Sequence, residues 1–358
     1  MNINNVLTEE ISQYLLNYDC DKCEINSFLQ SSDNPIERTT KAIALIENIM
    51  TVHGKQDLHK HISELLRIEM GVQRLNEAGR DHVSHAVLCF ILGIYINENY
   101  LGRLHNIHVD EFQWKLSGLF HDLGYPVEIA NRITGTFATR AKEIAKLLGI
   151  ENFNIGFKVD PMELDKLSNG ESSLILIQKR LNQWGLEINV TEEYNSRIAD
   201  GKICHGIISA LVLLKILDGL YTKNNPKKDY KSIIIPGTTI DVNQKYFDDD
   251  IVSACSAIFI HNFKESSFKK TKISIQTAPL AFLLKISDCL QEWERPDKKN
   301  PIGLSSKQFR IEVKEKILLL SIDNDNDNSK KEKLKDELEG CLNVECSIDQ
   351  DTLRIIGK

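Results

Sequence analysis

Five segments of this chain, residues 82–100, 111–122, 203–221, 250–262 and 278–294, are long, apolar and spaced like helices, and each carries an imidazole or a carboxylate. A helix that is apolar all round is buried all round. An ionisable group on such a helix needs a partner. The groups are His82 and His85 in "RDHVSHAVLCFILG", His121 and Asp122 in "LSGLFHDLGYPVEIA", and His205 at the head of "CHGIISALVLLKIL". His261 closes "VSACSAIFIHNF", and Asp288 sits inside "LAFLLKISDCLQEWER". Singly, each has an ordinary explanation: a backbone carbonyl for a histidine, a cap or an ion pair for an aspartate. Together they imply a shared polar centre in a helical core. Buried lysines and arginines able to neutralise it are few, so one divalent metal or a pair would satisfy the set. Mixed nitrogen and oxygen ligation suits Mn²⁺, Fe²⁺, Zn²⁺ or Co²⁺ better than Ca²⁺.

The rest of the chain frames this core. Residues 1–75 read as a helical extension, with three- and four-residue apolar spacing in "NPIERTTKAIALIENIM" and "DLHKHISELLRIEM"; His53, His59 and His61 there read as surface groups. The core domain is expected over 76–302, with an insertion over about 127–200 that is too long for an ordinary connection and suits a cap or pocket wall. After Pro301, two strand pairs flank the charged helix "KKEKLKDELEG", so 303–358 is expected to be a small α+β module. The acidic run 323–328 lacks the glycine and glutamate of a calcium loop and reads as solvated. The fold class expected is therefore mainly α, a helical core with a small α+β C-terminal module.

A formal charge of -7 argues against an extended nucleic-acid surface. Of the eight cysteines only Cys20 and Cys23 form a C-x-x-C, with no second pair to complete a zinc site. The rest read as reduced thiols, which points to the cytoplasm. The first residues lack the basic start and apolar core of a signal peptide. No apolar run is long enough for a membrane span.

The ordered set of His, His-Asp, His, His and Asp on successive helices resembles the HD-domain metal-dependent phosphohydrolase superfamily. "HAVLCFILG" at His85, "GLFHDLG" at His121-Asp122, "HG-x-x-SA" at His205, "AIFIHN" at His261 and "LLKISDCLQEW" at Asp288 carry the resemblance, over roughly 76–300. It implies an HD-domain helical core binding one or two divalent ions, manganese, iron, zinc or magnesium. His85, His121, Asp122 and Asp288 would hold the first, and Asp122 would bridge to a second held by His205 and His261. The implied chemistry is attack of a metal-activated water on phosphorus, with a nucleotide phosphodiester or phosphoanhydride as substrate. Asp122 and His82 are the catalytic candidates, His82 as general acid or as a group orienting a ligand. Arg80, Lys202 and Lys264 flank ligand positions and are candidates for phosphate contacts. Tyr125 would border the pocket, and Gln291, one turn after Asp288, could reach substrate.

The branch stays open. His261 is followed by Asn262 rather than a second histidine, and Tyr125 stands where the cyclic-dinucleotide branch has a lysine. "LGYPVEIA" keeps only Gly124 and Pro126 of the deoxynucleotide triphosphohydrolase pattern, and the glutamate-aspartate pair of guanosine-tetraphosphate hydrolases is absent. A nucleotide-sensing protein with little turnover is the alternative, and an oxygen-using di-iron enzyme a further one. Assembly into a homo-oligomer is open.

Overall fold

The computed structural model describes residues 27–29, 35–52, 62, 63, 66, 81–150, 164–199, 204–223, 247–291, 309–322, 329–349 and 352–358. Arg80, Lys202, Cys20, Cys23, His53, His59, His61 and the acidic run 323–328 lie outside them. Within the described residues the protein is mainly helical, with a small antiparallel sheet near the C-terminus.

The helices are α1 (Pro35–Val52), α2 (His82–Ile96), α3 (Glu111–Phe120), α4 (Tyr125–Leu147), α5 (Ser173–Gln183), α6 (Val190–Ala199), α7 (His205–Lys223), α8 (Ser253–His261), α9 (Pro279–Leu290) and α10 (Ser329–Cys341). Helix α2 is the axis of the core. Every one of its residues is buried, which is what its unbroken apolar composition requires. Its N-terminus is capped by Asp81, which accepts from the Ser84 amide at 2.9 Å. The same carboxylate accepts from the Thr39 hydroxyl at 2.8 Å, tying α1 to α2. Helices α3 and α9 pack on α2, and α8 packs on α3, α7 and α9.

Two apolar segments run through a π-helical turn. Residues 97–102 continue α2 in this way, and 247–252 lead into α8. The segment expected to be helical to 122 stops at Phe120. His121 to Gly124 form a turn, and α4 starts at Tyr125 with Pro126 in its first turn, where the missing amide hydrogen costs nothing. The metal-competent doublet therefore sits on a tight turn between two helices, not inside one.

The stretch read as an insertion supplies α4, α5 and α6. Leu174, Ile177, Leu181, Val190 and Tyr194 from α5 and α6 belong to the same continuous core as α2. Only α4 reaches the histidine cluster, through its first turn.

The C-terminal residues form the expected strand-strand-helix-strand-strand unit. Strands β1 (Phe309–Lys314), β2 (Ile317–Ile322), β3 (Val344–Asp349) and β4 (Thr352–Gly357) pair in the order β1-β2-β4-β3, all antiparallel. The unit is not detached. The Ile273 amide donates to the Cys341 carbonyl at 3.0 Å, and the Asn343 amide to the Ile273 carbonyl at 2.8 Å. The Gly357 amide donates to the buried Tyr100 hydroxyl at 2.7 Å. Lys285 of α9, 3% exposed, bonds Glu337 of α10 at 2.7 Å. No helix is long and apolar enough to cross a membrane among the described residues.

Candidate metal centre

The fold brings His82, His85, His121, Asp122, His205, His261 and Asp288 together. Asp122 is the hub. Its Oδ2 lies 3.8 Å from His85 Nε2 and 3.6 Å from His121 Nε2. Its Oδ1 lies 3.2 Å from His205 Nε2 and 3.7 Å from His261 Nε2. Asp288 Oδ1 joins the first pair, 3.0 Å from His85 Nε2 and 3.9 Å from His121 Nε2. Two donor groups share the one carboxylate: His85, His121 and Asp122, and then Asp122, His205 and His261.

Each of the four imidazoles is anchored from behind. His121 Nδ1 donates to the Gly118 carbonyl at 2.9 Å, and His261 Nδ1 to the Ile258 carbonyl at 2.6 Å. His205 Nδ1 donates to Glu128 Oε2 at 2.7 Å, and His85 Nδ1 to Gln291 Oε1. These oxygens only accept, so each Nδ1 donates outward and each Nε2 faces inward. Outward hydrogen bonds of this kind orient metal-ligating histidines. His121 tests the fit. Its Nε2 is fully buried and has no hydrogen-bond partner among the described residues, which is costly unless something else takes the lone pair.

The charge balance points the same way. Asp122 and Asp288 form ion pairs only with histidines among the described residues. Burial opposes their ionisation, but the surrounding imidazoles outweigh it and hold both carboxyls well below the usual range. Burial pushes His121 down to about 4, so it contributes no positive charge at neutral pH. Burial also disfavours charge on His205, yet Asp122 on one side and Glu128 on the other raise it to about 9. Two carboxylates, Asp122 buried and Asp288 partly exposed, facing imidazole nitrogens make a donor set that divalent transition metals accept. His85, His121, Asp122, His205 and His261 can hold a metal ion.

Two glycines set the spacing. A Cβ on Gly206 would lie 2.8 Å from His261 Cε1 and 2.9 Å from the Ile258 carbonyl. A Cβ on Gly124 would lie 2.5 Å from the His205 carbonyl and 2.8 Å from the Ser209 amide. The Gly124 amide donates to Ser209 Oγ at 2.7 Å, which seats the doublet turn on α7. Gly206→Ala is therefore expected to cost about 1–3 kcal/mol in urea unfolding through overpacking, and to lower metal affinity by moving His261.

The remaining sequence candidates fall unevenly. His82 is buried, bonds Asp122 Oδ2 through Nδ1 at 3.1 Å and stacks on Tyr125 with ring centroids 3.4 Å apart. Burial lowers its pKa. Tyr125 also faces His205, with ring centroids 5.2 Å apart. Gln291 was expected to reach substrate; instead it is 1% exposed and sits behind His85. Its distance from Asp288 along the chain placed it correctly on the helix end, but not on the correct side of the imidazole. Lys264 is exposed, at the start of a short turn after α8. Glu128 was not singled out in the sequence. It accepts from both the backbone amide and the ring of His205, at 2.8 and 2.7 Å.

Glu128→Ala should therefore weaken one metal equivalent by about 10–100-fold, the usual cost of losing an outer partner. Titration calorimetry with Mn²⁺ on the wild type and the variant should show the weakening confined to the binding step that uses His205. Equal weakening of both sites, or of neither, would contradict the placement of Glu128.

No protein-family model, no curated protein and no solved structure matches the chain.

Proposed function

We propose that this protein is a metal-dependent phosphohydrolase of the HD-domain kind, acting on a nucleotide. One observation carries the reading: four imidazoles, anchored through Nδ1, turn their Nε2 atoms toward the two oxygens of a single buried aspartate. A carboxylate shared by two imidazole pairs, with Asp288 beside one of them, is suited to two adjacent divalent ions. His85, His121, Asp122 and Asp288 would hold one, and Asp122, His205 and His261 the other.

Divalent ions bound there supply Lewis acidity, which makes water a nucleophile near neutral pH and offsets charge on phosphoryl oxygens. The chain's own groups do the positioning. His82 holds Asp122 through Nδ1, so orienting this carboxylate is its first role. Glu128 and Gln291 fix the rings of His205 and His85. Tyr125, partly exposed and lying over His82, offers a flat face at the rim on which a base could stack. In the hydrolysis, the water oxygen bonds to phosphorus and gives up a proton, the bond to the leaving oxygen breaks, and that oxygen takes up a proton in return.

The test is phosphate or nucleoside release by Mn²⁺-loaded protein over deoxynucleotides, ribonucleotides and cyclic mono- and dinucleotides, beside a His121→Ala/Asp122→Ala variant. Turnover of one class, lost in the variant, would identify the substrate. Metal binding without turnover of any of them would reject the hydrolase in favour of a nucleotide sensor.

A further inference from the structure

We infer that α4 is a homodimerisation helix, pairing antiparallel with α4 of a second copy about a two-fold axis near residues 140 and 141. Helix α4 has 23 residues and is about 35 Å long. It packs against α7, with Ala145 buried, yet it leaves a row of large apolar side chains open. Ile133, Phe137, Ile144 and Leu148 are 40%, 58%, 57% and 69% exposed. Soluble proteins seldom leave such a contiguous patch without a partner.

The spacing of the row names the partner. Ile133, Phe137, Ile144 and Leu148 are spaced at four, seven and four residues, the same read from either end, with Leu147, 85% exposed, at the edge of the row. An antiparallel copy would set Ile133 against the partner's Leu148, and Phe137 against the partner's Ile144. A two-fold interface needs this kind of self-complementarity. The charges agree. Arg140 lies in the row at its midpoint and Glu143 at its edge, paired at 2.8 Å within the helix with side chains 74% and 54% exposed. Across a two-fold axis at that midpoint, each arginine can exchange its glutamate for the partner's. Lys142 and Lys146 lie on the opposite side of the helix from the apolar row. That is the wrong side for an anionic membrane, where basic residues should flank the apolar face. A single helix pair is small for an interface, so the dimer is weak and concentration-dependent.

Sedimentation of the full chain over a range of concentrations tests this. The wild type should shift from the mass of one chain to the mass of two. Phe137→Glu and Ile144→Glu, both at exposed positions where folding is not at stake, should stay monomeric. Arg140→Glu and Glu143→Arg should each weaken association about tenfold, since each brings like charges together across the axis. A mixture of these two charge variants should restore the dimer, because each then meets the opposite charge. A wild type monomeric at every concentration would overturn the inference. So would self-association that persists in Phe137→Glu and Ile144→Glu, and in that case the row is covered by another part of the chain or by another partner.

Discussion

Asp122→Asn is expected to remove both metal positions at once and to lower phosphate release by on the order of 10³-fold or more. The substitution keeps the size of the side chain and removes the charge. Asp122 is the only carboxylate among the described residues that faces all four imidazoles, with Oδ2 toward His85 and His121 and Oδ1 toward His205 and His261. His205→Ala, by contrast, should remove one metal and leave the other with His85, His121, Asp122 and Asp288. Elemental analysis after dialysis separates the two results. Thermal unfolding adds a readout independent of turnover. Metal at 100 times its dissociation constant stabilises a folded protein by about 2.7 kcal/mol, and the asparagine variant should show none of that gain. Retention of two metals by Asp122→Asn would sink the shared-carboxylate reading.

Glu337→Ala is expected to destabilise the whole chain by about 3 kcal/mol. It would leave the Lys285 ammonium, 3% exposed, without the carboxylate that holds it at 2.7 Å. Burial opposes the charge on Lys285, but Glu337 and nearby groups outweigh it and keep its pKa raised. Lys285→Met should cost less, because Glu337 is 39% exposed and can turn to water. The double substitution Lys285→Met/Glu337→Leu should recover most of the loss. Urea midpoints with an unchanged slope would measure this order. If Lys285→Met proved the worse of the two, the buried charge would not be the source of the cost.

The sequence made the helical core legible because apolar segments with isolated ionisable groups have few ways to fold. It also made the C-terminal strands and helix legible, since alternation and a glycine stop are local signals. What it hid was non-local. Glu128 stands in the first turn of α4, where an acidic residue is ordinary because it complements the helix dipole. Nothing local shows that it faces an imidazole 77 positions later. Gln291 was legible as a neighbour of Asp288, but which side of His85 it takes depends on how α9 crosses α2. The end of α3 two residues early, at Phe120, follows from the His121–Gly124 turn, which seats on Ser209 through the Gly124 amide. The anchoring of the C-terminal unit on Ile273 and Lys285 has no sequence signature, because a backbone bridge can use any residue.

The close approach at Gly124 and Gly206 has an evolutionary meaning as well as a steric one. Positions around the centre that offer no ligand and leave room for a side chain can drift through small intermediates. At these two there is no intermediate, since even the smallest side chain meets backbone or a ligand ring. A saturation library over 118–130 and 204–212 should therefore show, besides the losses at the donors His121, Asp122 and His205, two further troughs at Gly124 and Gly206, neither of which offers a ligand atom.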